Sequence, residues 1–241
     1  MNVDIILSAR EIFPDRVANK TVVVIDVLRA TSVMVTALAN GAKSVIPVMH
    51  PEEAFNIKKE LGEENVVLGG ERDAVPIEGF DYGNSPFSYV PEVICDKTLV
   101  MTTTNGTRAI LNSKGASKVI IGAFVNDVAI VKALEGEEEV VLVGSGSYDE
   151  FTMEDALCAG KLAMDLKEAY DARLTDVSVA MSLLYHTAKG DLHKIAAQGE
   201  HYSRLAGLGY DSDLDYCFRS SVFEIVPVFY GGSIVLENMN G

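Results

Sequence analysis

Tryptophan is absent from this chain, and basic residues are few: 20 lysines and arginines stand against 35 acids, for a formal net charge of −15. No run of lysine or arginine occurs. Duplex binding needs a basic face, so a nucleic-acid partner is not expected. The acids are spread out, densest from Glu135 to Glu139, a patch that reads as a solvated loop. The three cysteines, Cys95, Cys158 and Cys217, are odd in number, far apart and without a CxxC or Cys/His metal spacing. They read as buried free thiols in a reducing, cytoplasmic setting. No apolar stretch approaches the ~20 residues of a membrane helix. Met1 to Ser8 lacks the basic flank and long apolar run of a signal peptide. The phosphate-loop and HExxH patterns are missing, and Gly144-Ser145-Gly146 lacks the third glycine of a dinucleotide fingerprint. His50, His186, His193 and His201 are scattered and read as structural or solvent-facing.

What is present is an alternation of short apolar runs with helical patterns. Val3 to Leu7, Val22 to Asp26, Ser44 to Val48, Val66 to Leu68, Thr98 to Met101, Lys118 to Ile121 and Val140 to Val143 read as strands. Ala30 to Asn40 has helical spacing and stops at Gly41; Pro51 opens a second helix, Asn126 or Asp127 caps another, and Met153 to Tyr170 is a long one. Asp176 to Leu208 is helical, broken near Gly190 and Gly199. Val222 to Leu236 reads as strand, Tyr230-Gly231-Gly232 turn, strand. The segment Glu71 to Lys97 has little periodicity, and loops that long are often functional. The alternation predicts a three-layer α/β/α fold with a mostly parallel or mixed sheet. It forms one unit over 1–241, or two lobes of about 1–97 and 98–241.

Thr102-Thr103-Thr104-Asn105-Gly106-Thr107 lies where a strand passes into a helix. Hydroxyls, an amide and free helix-start N–H groups there suit a small anion. Three other junctions share this grammar: Asp26 to Thr31, Gly69-Gly70-Glu71-Arg72, and Gly144 to Asp155. If the four strands are parallel, their carboxyl ends gather Asp26, Arg29, Glu71, Arg72, Thr103, Thr104, Asn105, Glu154 and Asp155 on one edge. Carboxylates there would hold a hard cation such as Mg²⁺, with Asp26, Glu71 and Asp155 as ligands. Arg29 and Arg72 would grip phosphate or carboxylate. Thr103, Thr104, Asn105 and Gly106 would cradle further oxygens, and Asn84 and Ser85 would close over the ligand. Glu154 is the candidate general acid. Each residue also has a plain structural reading: Asp26 as a helix cap, Glu71-Arg72 as a local ion pair, Glu154-Asp155 as acids favoured in a first helical turn.

Together, Val24 to Thr31, Ala37 to Ala42, Leu68 to Arg72, Gly79 to Pro86, Thr102 to Thr107, Glu154-Asp155 and Ala159-Gly160 make the chain resemble the 2-phosphosulfolactate phosphatase family of coenzyme M biosynthesis. The resemblance implies a Mg²⁺-dependent phosphatase converting 2-phospho-3-sulfolactate to 3-sulfolactate and phosphate, a three-layer fold, and allows a homodimer. It differs from haloacid-dehalogenase-type enzymes, because Leu28 stands where their second aspartate would be. Metal-activated water is therefore preferred to attack by Asp26. The rivals are a non-catalytic organophosphate or sulfonate sensor using the same arginines and threonines, and an isomerase or phosphotransferase of similar anions.

Overall fold

The structure is a computed structural model and describes residues 1–237; residues 238–241 lie outside it. Its strands are β1 (Asn2–Ile6), β2 (Thr21–Ile25), β3 (Ser44–Pro47), β4 (Val66–Arg72), β5 (Val75–Pro76), β6 (Thr98–Thr102), β7 (Lys118–Gly122), β8 (Glu139–Gly144), β9 (Arg173–Leu174), β10 (Pro227–Tyr230) and β11 (Ser233–Leu236). The helices are α1 (Pro14–Val17), α2 (Ala30–Ala39), α3 (Pro51–Leu61), α4 (Pro91–Ile94), α5 (Gly106–Asn112), α6 (Asp127–Ala133), α7 (Met153–Tyr170), α8 (Asp176–Ala188), α9 (Leu192–Ala196), α10 (Glu200–Gly207) and α11 (Asp211–Cys217). None is long and apolar enough to cross a membrane among the described residues.

Alternation along the strands builds the layers, because successive side chains leave a strand on opposite faces. In β2, Val22 and Val24 join a cluster with Val33, Met34 and Ala37 of α2 and Ile110 of α5. Val23 and Ile25 face the other way, onto Leu157, Leu162 and Leu166 of α7. A smaller cluster places Ala54 of α3 on Val66, Leu68 and Val100. The three-layer α/β/α expectation is met. Helix α2 is buried from Ala30 through Leu38, which explains its weak amphipathic pattern: a helix covered on all sides has no polar face to display.

The sheet order is β5-β4-β6-β3-β11-β10-β7-β2-β8-β1-β9. Strands from 1–97 and from 98–241 thus alternate in one sheet. Two parallel blocks are visible, β4-β6-β3 and β7-β2-β8-β1-β9. Between them lies the antiparallel hairpin β10-β11, which touches β7 at the single pair Val228–Ile120 and β3 at Ile234–Val45. Three antiparallel steps in succession make the two blocks run in opposite senses. A common parallel direction for all four junction strands is therefore corrected. In a flat sheet, opposed blocks would send their carboxyl ends to opposite edges. The right-handed twist that accumulates from strand to strand across so wide a sheet turns one block relative to the other, and the shared cavity described below lies where their carboxyl ends meet.

Smaller differences have local causes. The terminal hairpin starts at Pro227 rather than Val222, because Ser221 and Phe223 donate their amides to the Phe124 and Val125 carbonyls. Helix α11 was not foreseen; its three aspartates, Asp211, Asp213 and Asp215, disguise it as a loop. Cys158 and Cys217 are buried free thiols as expected, whereas Cys95 follows the short α4 and is exposed.

Candidate active site

The carboxyl ends of β2, β4, β6 and β8 meet at an open cavity. Asp26 and Arg29 come from the turn after β2, Glu71 with Asp73 from the end of β4, Thr103 to Asn105 from the loop after β6, and Ser147 with Tyr148 from the loop after β8. Asn84 enters from the long loop, and His201 and Arg204 enter from α10.

Asp26 is fixed by the start of α2. Its Oδ1 accepts the Ala30 amide at 3.0 Å, while Oδ2 accepts no hydrogen bond among the described residues. Burial pushes its carboxyl up to about 6, offset in part by the Ala30 amide and His201, and reinforced by Glu71 and Glu154. Glu71 is gripped by backbone: Oε1 accepts the Thr104 amide at 2.8 Å and Oε2 accepts the Ala74 amide at 2.7 Å. Arg29 is buried against Asp213 of α11 in an ion pair, and its guanidinium stacks 3.9 Å over the Tyr210 ring. That pair leaves Nε and Nη2 without a partner among the described residues, on a side chain that lines the cavity. Asn84 is buried, with Oδ1 unpartnered among the described residues.

Several expected site residues have other positions. Arg72 points away, donating to the Glu71 and Met49 carbonyls and to Thr102 Oγ1. Its place as second cation is taken by Arg204. Asp155 accepts the Val27 amide at 2.8 Å through Oδ1 and the Gly146 amide at 3.1 Å through Oδ2. It ties the β2 and β8 ends together and does not line the cavity, which removes it from the candidate metal ligands. Burial, with Asp26 and Glu154 nearby, raises its carboxyl well above the usual range despite those two amides. Ser85 donates to Asp213 Oδ1 at 2.7 Å and so braces the Arg29 pair instead of closing over a ligand.

The threonine loop is less open than its sequence implies. The Thr103 and Thr107 amides are bonded to each other's hydroxyls, at 3.1 and 3.2 Å, and the Thr104 amide is held by Glu71. Only Asn105 and Gly106 keep amides that donate to nothing among the described residues. Gly106 lines no wall; a Cβ there would lie 2.6 Å from Asp26 Oδ2 and 2.7 Å from Ala30 Cβ. Its missing side chain lets the β6 loop press against the β2 turn.

His201 corrects the reading of the histidines. It is the cavity's only imidazole, with Nδ1 donating to Glu154 Oε1 at 2.6 Å. Burial lowers its affinity for a proton, but the Glu154 bond and the charges of Glu154, Asp26 and Glu71 outweigh that, and the net shift is upward. Glu154 itself stands behind the ring, buried, with Oε2 unpartnered among the described residues.

A family model described as 2-phosphosulpholactate phosphatase matches residues 6–232. The chain belongs to this family. It is 44% identical over 231 residues to a protein of Clostridium novyi, covering 95% of this chain and 97% of that one. It is 42% identical over 239 residues to one of Clostridium beijerinckii, with 98% and 100% covered, and 44% identical over 238 residues to one of Clostridium perfringens, with 97% and 96% covered. All three are named probable 2-phosphosulfolactate phosphatase.

Within this family member, the cavity unites three carboxylates, Asp26, Glu71 and Asp73, with two arginines and an imidazole. Asp26 and Glu71 are the residues that could hold a cation. Among the described residues no three His, Cys, Asp or Glu side chains stand close enough to enclose a metal. One or two carboxylates fit a hydrated Mg²⁺, which completes its shell with water and substrate phosphate. The two cations of the lining and the free Asn105 amide fit a small polyanion. The residues missed in sequence, His201, Arg204, Tyr148 and Asp213, carry no motif; only the fold brings them to the strand ends.

Proposed function

We propose that this chain hydrolyses 2-phospho-3-sulfolactate to 3-sulfolactate and inorganic phosphate, with Mg²⁺ held by Asp26 and Glu71. The observation that carries this reading is that the Asp26 and Glu71 carboxylates line one cavity together with Arg29 and Arg204. Acids beside an anion site repel the ligand unless a cation intervenes, which counts against a metal-free sensor. When bound, Mg²⁺ supplies charge neutralisation at the phosphoryl oxygens and acidifies a coordinated water.

The chain's own groups do the rest. Arg29, pre-set by Asp213 and Tyr210, offers Nε and Nη2 to an oxyanion, and Arg204 provides a second positive charge in the cavity lining. Asn84 and Asn105 supply neutral donors for a carboxylate or sulfonate. Holding the ester rigidly between these walls turns the attack of water into a positioned, nearly unimolecular event. The same reading takes in a cytoplasmic setting, a role in coenzyme M synthesis, no nucleic-acid partner and a homodimeric assembly. These rest on family resemblance and on the acidic composition.

The test is release of inorganic phosphate from 2-phospho-3-sulfolactate by the purified protein, with Mg²⁺ and after chelation. Fast release that collapses on chelation and returns with Mg²⁺ is the expected result. Binding without release would favour the sensor, and release indifferent to chelator would sink the metal assignment.

A further inference from the structure

On the phosphatase reading, one proton is still unassigned. When the P–O bond to the sulfolactate carbon skeleton breaks, the electron pair stays on an alkoxide oxygen far more basic than water. Water's oxygen forms the new bond to phosphorus and sheds a proton. The departing oxygen must gain one. Glu154 was the sequence's candidate donor, but it lies behind the cavity wall with Oε1 committed to His201.

We propose that His201 is the general acid of the site: its Nε2–H protonates the leaving oxygen, and Glu154 is the positioning residue that holds the ring through Nδ1. Three observations converge. His201 lines the cavity beside Asp26, Glu71 and Arg29. Its Nδ1 is occupied by Glu154 at 2.6 Å, so Nε2 is the nitrogen left for substrate. Glu154 is buried with its other oxygen unpartnered among the described residues, so its charge is spent on this one contact. Besides Glu154 of α7, the charged groups that share the cavity with the ring are Asp26, Arg29, Glu71, Asp73 and, from its own helix, Arg204. Glu154 is the one bonded to it, and a buried carboxylate on Nδ1 favours the imidazolium. Atoms balance over the cycle: the ester takes the proton of His201, and the proton shed by the attacking water returns the ring to its starting state through solvent.

The experiment compares wild type with His201→Asn, which keeps a donor for Glu154 but has no acid, and with Glu154→Gln. Two esters are used: 2-phospho-3-sulfolactate, and p-nitrophenyl phosphate, whose leaving group needs no proton. The expected result for His201→Asn is a fall in kcat of about 10²–10³-fold on the alkyl ester and under about tenfold on the aryl ester, with KM nearly unchanged. The alkaline limb of wild-type kcat should vanish in His201→Asn. In Glu154→Gln it should move to lower pH by about one unit, because one unit reports the lost stabilisation of the imidazolium. Equal losses on the two esters, an undiminished His201→Asn enzyme, or a limb unmoved by Glu154→Gln would overturn the assignment while leaving the phosphatase reading intact. A wild-type protein silent on both esters would overturn both.

Discussion

The strand-end loops and the C-terminal helices build the two halves of the cavity by different physics. The turn after β2 and the end of β4 present carboxylates pinned by backbone amides, as with Ala30 on Asp26 and Thr104 and Ala74 on Glu71. Helices α10 and α11 present His201, Arg204 and Asp213, which are held by side-chain partners: Glu154, Tyr148 and Arg29. Amide-pinned groups are set by local chain geometry, and side-chain pairs are set by tertiary packing. The first half should therefore fail chemically when altered, with the fold intact. The second should fail through its partners.

The largest contrast is expected at Asp26. In the folded chain it keeps its proton up to about 6, while the unfolded chain releases it near 3.8. The native state thus binds more protons between those values, and stability falls as pH rises through the window. Asp26→Asn keeps the acceptor for Ala30 and should cut phosphate release by about 10³-fold or more. It should also raise stability at pH 8, without metal, by on the order of 3 kcal/mol. Thermal melting beside a phosphate assay decides it; a variant both inactive and less stable would break the contrast.

Next comes the buried pair of Arg29 and Asp213. Removing one partner leaves an uncompensated buried charge, so Asp213→Leu should cost about 3–5 kcal/mol in urea unfolding. Arg29→Met combined with Asp213→Leu should recover most of that stability and none of the activity. Equal instability of single and double variants would show that packing, not charge, fixes this corner.

Gly106→Ala tests the seam between the β6 loop and the β2 turn. A methyl group placed 2.6 Å from Asp26 Oδ2 forces one loop to move, at a cost of about 1–3 kcal/mol and a clear loss of turnover. The smallest effect is expected at Arg204→Ala. Its side chain is 36% exposed, so stability should change by under about 0.5 kcal/mol, while KM rises several-fold and more so at low salt.

The two halves also differ in how much of them could be read from sequence. Strand-loop-helix grammar pointed to Asp26, Arg29, Glu71 and the threonine loop, because the motif and its position travel together in the chain. It could not tell which way a side chain turns: Arg72 follows Glu71 directly yet points out to Thr102. Nor could it tell which amides are already satisfied, as those of Thr103 and Thr104 are. His201 and Asp213 sit on short polar helices whose pattern is that of any surface segment. Their selection is a matter of contacts made across 47 and 184 positions of sequence. For the fold, most long β-runs were legible to within a residue or two, but β4 runs on to Arg72, the terminal hairpin starts later, and the two-residue β5 and β9 carry no pattern; the reversal of one block against the other depends on a hairpin that pairs with each through one residue.

That hairpin also makes distant parts of the chain depend on one another. Strands β3 and β7 have inner sheet neighbours only because residues 227–236 lie between them. Take those ten positions away and two half-sheets are left, each with its own strand ends and an open inner edge. A stretch that lends no side chain to the cavity is what makes the enzyme's two walls parts of one continuous sheet.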